Sequence, residues 1–348
     1  MLRLLVFIAS VVNAKSVWTG DNCEDHLSKE HSFCNYMRKH NKTYFKHNWR
    51  ERQRNIETAS LYIKKHNEKP HEYDLQLTTM SDLSNPDFVK QLSPIYPGSH
   101  VKGRKLRQSR ETDIIQQGLK NIRIPPSFDW RQHSSMTAVS TQGHCGSCFA
   151  IVAGEMMDWW NNKLVGTAVK TTASVQQLMD CSSDEFPDDA ERCKGSVMEY
   201  PLRYAQHNRV WHTQDYPYER HGDICKHKKP HYKTVHPVLM HHTDRYDEND
   251  LERYLPAYIY HYGPVGVSFD ASDPHFQHLG GGIYKPGRCS DSNVNHAVLV
   301  VGYTPEFYIV KNSWGPHYSE NGYFRIKRGR NLCGMLEVVS ILMSARLK

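Results

Sequence analysis

The sequence predicts an α+β protein whose two lobes follow a separate helical segment, and two observations predict it. After about residue 124, long apolar segments with helical spacing come first, and from about residue 235 short β-rich segments alternate with turns. Helices followed by strands favour an α+β architecture over an alternating α/β one. At 348 residues the chain also exceeds one simple core, which indicates two or three structural units.

The first fourteen residues, MLRLLVFIASVVNA, combine one arginine, an apolar run and a small residue at the end. This pattern is typical of a secretory signal peptide that is cleaved after Ala14, and its apolar core is too short to span a bilayer. No later stretch approaches the length of about twenty apolar residues that a membrane helix needs. We therefore expect a soluble mature chain without a membrane partner, secreted or delivered to a lysosome or vacuole, in which disulfide bonds can form.

The net charge of +7 is concentrated in the N-terminal third of the chain. Residues 15–123 carry 20 Lys and Arg against 13 Asp and Glu, whereas residues 124–348 carry 23 against 24. The C-terminal part therefore lacks the basic surface that nucleic-acid binding requires, and we expect no nucleic-acid partner.

Within the N-terminal third, the residue spacing predicts short regular elements. Residues 31–67 end in ERQRNIETASLYIKKHN and predict a charged amphipathic helix. The alternation of Tyr73, Leu75 and Leu77 predicts a short strand, and Ser84–Phe88 predicts a helix start. The positions at helical spacing are Arg52, Ile56, Ala59, Ile63 and Asn67.

A linker separates this segment from the rest of the chain. Residues 93–123 begin with Pro and Gly and continue through the basic runs RKLR and RQSR, which is typical of an exposed segment that proteases cut. We therefore predict three parts: a signal peptide over residues 1–14, an N-terminal segment over 15–123 and a main domain over 124–348. The apolar helices predicted in the main domain lie at 149–165, 172–182 and 195–207.

Nine cysteines in a secreted chain leave one unpaired after four disulfides. Cys145 and Cys148, in TQGHCGSCF, could be a metal clip, a redox pair, or a disulfide partner beside a nucleophile. A zinc clip needs a second short cysteine pair, which the sequence lacks, and His144 directly beside Cys145 is poorly placed as a ligand. A redox pair would follow a strand, whereas RQHSSMTAVSTQG predicts a loop. We predict no metal site and no cofactor.

A nucleophilic role for Cys148 agrees with its surroundings. A thiolate attacks where a thiol hardly does, so such a site must lower the pKa of the thiol. Cys148 stands where the helix over 149–165 would begin, and the positive end of a helix dipole stabilises a thiolate. A neighbouring imidazolium, oriented by a third group, has to come from elsewhere in the chain.

The segment QGHCGSCF resembles QGxCGSCW, the active-site segment of the papain and cathepsin L family of cysteine peptidases. NHAVLVVGY resembles the family's histidine segment and YIVKNSWG its asparagine segment; they place His296 and Asn312 148 and 164 residues after Cys148. Upstream, the helical spacing is similar to the interrupted ERFNIN pattern of cathepsin L-type propeptides, and MSDLSNPDF resembles FxDLTxxEF. IPPSFDWR resembles the start of the mature enzymes, so the resemblance covers nearly the whole chain.

This resemblance implies a papain-like two-lobed fold over residues 124–348, with a helical left lobe and a β-barrel-like right lobe. It also implies that residues 15–123, the proregion, are a helical inhibitory propeptide. It implies a cysteine endopeptidase made as a zymogen, which acts on protein and peptide substrates as a monomer. Its own propeptide would inhibit it, and cystatin-type inhibitors are further candidate partners.

The resemblance also assigns roles to individual residues. Cys148 would be the nucleophile and His296 its imidazolium partner, while Asn312 would orient the ring and Trp314 would shield that hydrogen bond from water. The Gln142 amide and the backbone N–H of Cys148 would form the oxyanion hole. Substrate would lie against Gly195, Ser196, Val197, Met198 and Ala297, which implies an apolar preference at the residue before P1.

The family pattern also implies the disulfide pairs Cys145–Cys193, Cys181–Cys225 and Cys289–Cys333. Cys23 and Cys34 are then a candidate pair in the proregion, and Cys148 is the odd thiol. NKT at Asn41 is the sequon for glycosylation.

Several departures from the family pattern bear on substrate preference and rate. Phe149 replaces the usual Trp, CKGS with Lys194 and Ser196 replaces CNGG, and Tyr318 stands near Trp314 in place of another aromatic residue. Glu337 or Val338 could form the floor of the apolar pocket, depending on a one-residue shift of alignment.

Two other functions compete with the endopeptidase. The chain could be a catalytically silent homologue that binds or stores, or an inhibitor whose working part is residues 15–110. The complete catalytic set argues against both.

Seven of the 22 histidines lie in residues 15–123. Our hypothesis is that acid charges them and loosens the proregion from the cleft.

Overall fold

The computed structural model describes thirteen stretches of the chain. The signal peptide predicted over residues 1–14 and most of the linker predicted over 93–123 lie outside them. The described residues are 17–20, 23, 33–45, 47–92, 119, 122–133, 135–165, 172–185, 192–226, 239–244, 248–290, 293–329 and 331–343.

The proregion is a small helical unit with three short strands. Its elements are β1 (Val17–Thr19), α1 (Phe33–His40), β2 (Thr43–Phe45), α2 (Trp49–Asn67), β3 (Tyr73–Leu75) and α3 (Asn85–Gln91). The predicted strand and helix start are confirmed, since β3 covers Tyr73–Leu75 and the Ser84 side chain caps α3 by accepting from the Asp87 N–H.

The single helix predicted over 31–67 is two helices. Asn41 adopts a left-handed φ of 50°, which ends α1, and the chain then extends as β2 to pair antiparallel with β1. β-branched and aromatic residues such as Thr43 and Phe45 favour a strand there, so local propensity interrupts the helical pattern.

Side chains at the helical positions recognised in the sequence bind the segment that follows α2. The Arg52 guanidinium donates to the Asp82 carbonyl at 3.2 Å. The Asn67 amide both donates to the Leu75 carbonyl at 2.8 Å and accepts from its N–H at 3.0 Å. Ile56 and Ile63 are buried on the inner face of α2. The charged helix therefore serves as a rigid support for residues 75–82.

The main domain has three helices before most of its strands, as the sequence predicts, but a helix over Glu248–Tyr262 lies among the later strands and was not predicted. Its helices are α4 (Cys148–Val165), α5 (Val175–Glu185), α6 (Glu199–His207), α7 (Glu248–Tyr262) and α8 (Pro274–Gln277), with short 3₁₀ turns at Trp130–Gln132, Arg192–Lys194 and Leu332–Gly334. Its strands are β4 (Phe128–Asp129), β5 (Leu239–Asp244), β6 (Val265–Phe269), β7 (Leu279–Tyr284), β8 (His296–Tyr303), β9 (Phe307–Lys311), β10 (Tyr323–Lys327) and β11 (Val338–Met343).

Nine of the described strands form one sheet. The order is β3-β7-β10-β9-β8-β6-β11-β5, with β4 on β8, and its pairs are antiparallel except β10 with β7. Among the described residues β3 and β5 remain as edges, so the sheet is open and the barrel-like lobe expected from the resemblance is not closed. Strand β8 lies near the centre, with every residue buried.

Helix α4 is a core helix. Phe149, Ala150, Ala153 and Met157 are fully buried, and the helix packs on β8. The Trp160 indole ties it to the last strand by donating to the Leu342 carbonyl at 2.7 Å. This packing brings the first residue of α4 to the start of β8. In the part of the chain that the structure describes, no helix has the length and apolarity to cross a membrane.

The proregion docks on the main domain by extending its sheet. Strand β3 pairs antiparallel with β7, with Tyr73 opposite Gly282 and Asp74 opposite Gly281. Beyond the strand, the Thr78 hydroxyl donates to the Gln277 carbonyl at 2.7 Å, and the Gln277 amide donates to the Met80 carbonyl at 2.9 Å. Backbone pairing therefore continues into a buried polar contact.

Candidate active site

Cys148 is the first residue of α4, one position earlier than the predicted start. Its side chain is buried, and the Ala297 N–H donates to its sulfur at 3.4 Å. All nine cysteines lie in the described residues, and Cys148 is the one with a free thiol. A helix N-terminus and a backbone donor at the sulfur both favour a thiolate.

The other eight cysteines form the four disulfides expected from the sequence. They are Cys23–Cys34, Cys145–Cys193, Cys181–Cys225 and Cys289–Cys333. The pair at 145 and 193 fixes the loop before Cys148 to the segment that carries Gly195.

His296 and Asn312 come together from two neighbouring strands. His296 is the first residue of β8, and Asn312 directly follows β9. The Nε2 atom of His296 lies 2.8 Å from Oδ1 of Asn312. Trp314 stacks on the His296 ring with centroids 4.8 Å apart and planes 27° apart. The ring is therefore held by an amide at its edge and an indole on its face.

The proregion-covered site disfavours charge on both candidate catalytic groups. Burial raises the pKa of the Cys148 thiol to about 11, and backbone N–H groups oppose this shift. Burial lowers the pKa of His296 to about 4, against the opposing bond to Asn312. Because both shifts have desolvation as their main cause, return of water to the cleft would favour the charged pair.

Gln142 is held from two sides in the turn before α4. Its Nε2 donates to the Cys145 carbonyl at 3.0 Å, and its Oε1 accepts from the Ser313 hydroxyl at 2.7 Å. Its N–H also donates to the Ser313 carbonyl at 2.8 Å. No sequence pattern pointed to Ser313 itself, although it lies inside the recognised asparagine segment.

Tyr218 is a second contact that the sequence analysis missed. Its hydroxyl donates to the Gln142 carbonyl at 3.0 Å and also bonds the Ser147 hydroxyl, next to Cys148. It lies 70 residues beyond Cys148 in a segment without a recognised motif. Only the fold could have revealed it.

The residues expected to contact substrate lie in two segments, residues 195–198 and the start of β8 at Ala297. Gly195 has a φ of 106°, which glycine alone adopts readily, while Ser196 does not have a positive φ. The serine that replaces a family glycine is therefore accommodated without backbone strain. Met198 and Ala297 are fully buried and Val197 is half-buried.

The two candidates for the pocket floor differ in their surroundings. Val338 is fully buried. The Glu337 carboxylate accepts a hydrogen bond from the Asn331 amide at 3.0 Å, so it already has a partner within the protein.

The proregion reaches this site through α3 and the preceding loop. Phe88 packs edge-on against Trp314, with ring centroids 5.5 Å apart, and the Thr79 hydroxyl donates to the Trp314 carbonyl at 3.2 Å. The Oε1 atom of Gln91 lies 3.2 Å from Nδ1 of His144, in the turn that leads to Cys148. The proregion therefore contacts both the indole that stacks on His296 and the turn that precedes Cys148.

Asn41 lies exposed in the turn between α1 and β2. Tyr318 is fully buried and packs edge-on against Trp314 at 4.8 Å, so it does fill the place of the expected aromatic neighbour. Within the described residues, no group of three His, Cys, Asp or Glu is arranged to hold a metal ion.

Two family models match the chain. Residues 124–343 match the papain family of cysteine proteases, and residues 33–88 match the cathepsin propeptide inhibitor domain. The first match alone covers more than half of the chain.

Individual proteins of known name are similar over most of their length. A cathepsin L-like peptidase of Aedes aegypti is 31% identical over 292 residues, which are 80% of this chain and 82% of the relative. Procathepsin L of Rattus norvegicus is 28% identical over 298 residues, or 83% of each chain. The structure of digestive procathepsin L2 from the larval midgut of Tenebrio molitor superposes with a TM-score of 0.76 at 28% identity, over 89% of this chain and 98% of that one.

Proposed function

This chain belongs to the papain family of cysteine proteases and is a cysteine endopeptidase zymogen; we propose that it hydrolyses peptide bonds through Cys148 and His296. One observation carries this proposal. The single free thiol lies at the N-terminus of a core helix, beside the strand that begins with a histidine held by Asn312 and Trp314. A nucleophile, a base and a group that orients the base are the parts that thiol catalysis needs.

The mechanism follows from these positions. The Cys148 thiolate attacks the substrate carbonyl, and the Gln142 amide with the Cys148 N–H stabilises the developing oxyanion. His296 then protonates the leaving amine, and water hydrolyses the acyl-enzyme with His296 as base. Asn312 keeps the ring in the required orientation, and stacked Trp314 keeps water from that hydrogen bond.

Covalent labelling tests the assignment. After acid maturation, an epoxide or vinyl-sulfone peptide probe should modify one site, and digestion should locate it on the peptide that contains Cys148. Iodoacetamide pretreatment should prevent labelling. Labelling of another residue would contradict the proposal, and so would the absence of labelling in a chain that has matured.

The proregion acts as the inhibitor of the same chain, and we propose that it is removed near residue 124. Its strand β3 occupies an edge of the main sheet, Phe88 contacts Trp314, and Gln91 contacts His144 in the turn before Cys148. The signal peptide predicted over 1–14 and the sequon at Asn41 support entry into the secretory pathway and glycosylation of the exposed turn. A secreted, lysosomal or vacuolar location follows from this proposal.

A substitution in β7 should weaken this inhibition. A Cβ at Gly280 would lie 3.0 Å from the Asp74 carbonyl oxygen and 3.3 Å from the Leu75 carbonyl carbon, both in the proregion. We expect Gly280→Ala to speed acid maturation about tenfold, because such overpacking costs roughly 1 kcal/mol or more of docking free energy. Gel analysis of the precursor over time measures this rate.

Gly287→Ala is the matched control, because a Cβ there meets nothing within 4 Å. It should mature at the wild-type rate, and both mature variants should hydrolyse substrate like the wild type. Equal maturation rates for Gly280→Ala and the wild type would show that this strand contact does not limit release.

We also propose an apolar preference at the substrate residue before P1. Met198, Ala297 and Val338 are fully buried apolar residues, and a Cβ at Gly266 would lie 2.7 Å from the Met198 sulfur, which indicates tight packing there. A fluorogenic dipeptide with Leu or Phe at this position should give a kcat/KM about ten- to a hundredfold above one with Arg. Glu337→Gln should leave this ratio unchanged, since Asn331 already binds that carboxylate. A changed ratio would mean that Glu337 reaches the pocket.

A further inference from the structure

A buried ion pair lies behind the candidate active site. Glu155 is on α4, two turns after Cys148, and Lys311 is the last residue of β9, immediately before Asn312. The Lys311 ammonium lies 2.8 Å from the Glu155 carboxylate, and the two side chains are 0% and 7% exposed. No sequence motif pointed to either residue as functional.

The ion pair also binds the segment that leads to Gln142. The Lys311 ammonium donates to the Thr137 and Ala138 carbonyls at 3.2 and 2.9 Å. The Glu155 carboxylate accepts from the Ser140 hydroxyl at 3.1 Å. Residues 137–140 are therefore held between the two charged groups.

The same segment then runs along the asparagine segment toward the oxyanion side of the site. The Gly315 N–H donates to the Ser140 carbonyl at 3.0 Å, and the Gln142 N–H donates to the Ser313 carbonyl at 2.8 Å. Three stretches of chain thus meet at one ion pair. They are the stretches that carry Cys148, Gln142 and Asn312.

A gain in folding stability alone does not explain why an ion pair is buried here. Burying two charges carries a large desolvation cost, and apolar residues of similar volume often stabilise a protein as much. A buried pair with directed hydrogen bonds does, however, define one relative arrangement of the segments that it joins.

We propose that Glu155 and Lys311 are positioning residues that set the register of the Cys148, Gln142 and Asn312 segments. This inference rests on the proposed function. In the mature enzyme, loss of the pair lets Asn312 shift, which weakens its hydrogen bond to His296. Protonated His296 loses stabilisation, and the amide of Gln142 moves relative to the oxyanion.

This role predicts a specific kinetic pattern for the mature Glu155→Gln enzyme. Its kcat per active site should fall about tenfold or more, since small displacements of catalytic groups are costly. Its KM should stay near the wild-type value, because the apolar pocket belongs to other residues. The alkaline limb of the kcat/KM profile reports loss of the His296 proton and should move to lower pH.

The experiment compares four precursors matured in acid and titrated with an epoxide probe, so that rates refer to active sites only. They are the wild type, Glu155→Gln, the apolar pair Glu155→Met with Lys311→Met, and Asp158→Asn. Asp158 is the matched control, because it is buried on the same helix and the charges of Glu155 and Lys311 act on it, but its carboxylate accepts from the Ala173 N–H at 2.6 Å. It therefore tests loss of a nearby buried acid that does not bind residues 137–140.

The proposal predicts a lower kcat and a shifted alkaline limb in Glu155→Gln and in the apolar pair, and neither change in Asp158→Asn. The apolar pair keeps the test decisive if Glu155→Gln does not fold, because it leaves no buried charge unpaired. The proposal would be overturned if the apolar pair had the wild-type kcat and the wild-type alkaline limb. It would also be overturned if Asp158→Asn showed the same lower kcat and shifted limb. If the wild type itself neither labels nor hydrolyses, the proposed function fails instead.

Discussion

Replacing Cys148 with alanine is expected to lower peptide hydrolysis by about 10⁴-fold or more, the scale on which loss of a nucleophile acts. Every other cysteine is in a disulfide, so no second thiol within the described structure can substitute. The measurement is hydrolysis of a fluorogenic dipeptide with an apolar second residue, after incubation of the precursor with a thiol reductant between about pH 4 and 7.

The same variant separates chemistry from folding. Alanine removes one buried sulfur and no disulfide, so the thermal unfolding midpoint of the precursor should stay close to that of the wild type. The variant should also fail to process itself while remaining cleavable by an added protease at the basic linker. Hydrolysis at a wild-type rate by the alanine variant would remove Cys148 from the mechanism.

The zymogen adds a further control for this prediction. In the proregion-covered chain the pKa of Cys148 is raised to about 11 and that of His296 is lowered to about 4, so both groups are neutral near pH 6. Iodoacetamide should therefore alkylate Cys148 far more slowly in the precursor than in the mature enzyme. Equal rates would mean that the proregion does not exclude water from the thiol.

Replacing His66 and His71 together with glutamine is expected to move the midpoint of acid maturation down by about half a pH unit to one unit. The two rings stack 3.8 Å apart in the proregion, and His66 meets His275 of the main domain edge-on at 4.7 Å. The hydroxyl of Tyr73, also in the proregion, lies 2.7 Å from Nδ1 of His275. Acid therefore places several positive charges in one small interface.

The sign of the effect follows from the pKa shifts. Burial lowers the pKa of His275, and it lowers that of His278, beside proregion Ser81, to about 4. In the docked precursor both histidines therefore favour the neutral form. This stabilisation is complete above the ordinary histidine pKa of about 6.5 and is lost as the pH falls below it, for His278 down to about 4. The charged groups that act on His275 are His66, His71 and Arg288, which lower its pKa, and Asp273, which raises it.

Glutamine at positions 66 and 71 cannot take up a proton, so less repulsion develops in acid and more acid is needed for release. Both substitutions leave with the proregion, so the mature enzyme must have the wild-type sequence and pH profile. His47→Gln is the matched control, because His47 is exposed and stacks on Phe45 within the proregion. An unchanged midpoint in the double variant would show that this histidine interface does not sense pH.

Several features of the fold could be predicted because they depend on neighbouring residues along the chain. The apolar run after Cys148 predicted a buried helix, and the alternation at Tyr73 and Leu75 predicted a strand. The single helix expected over 31–67 was wrong, because Asn41 turns left-handed and the Thr43–Phe45 stretch finds β1 as a partner. That partner is a matter of tertiary structure, which helical spacing does not contain.

The amino-acid sequence by itself determined the family, the candidate catalytic residues within their motifs, and the odd cysteine, because motif spacing and parity are properties of the linear chain. Only the tertiary structure decided which distant segments meet. It placed Tyr218 and Ser313 on Gln142, joined Glu155 to Lys311 behind the site, and set proregion histidines against His275. These contacts depend on the register of β8 and β9, the packing of α4 and the docking of β3 on β7. Such long-range geometry results from the summed burial of many residues and leaves no local pattern to read.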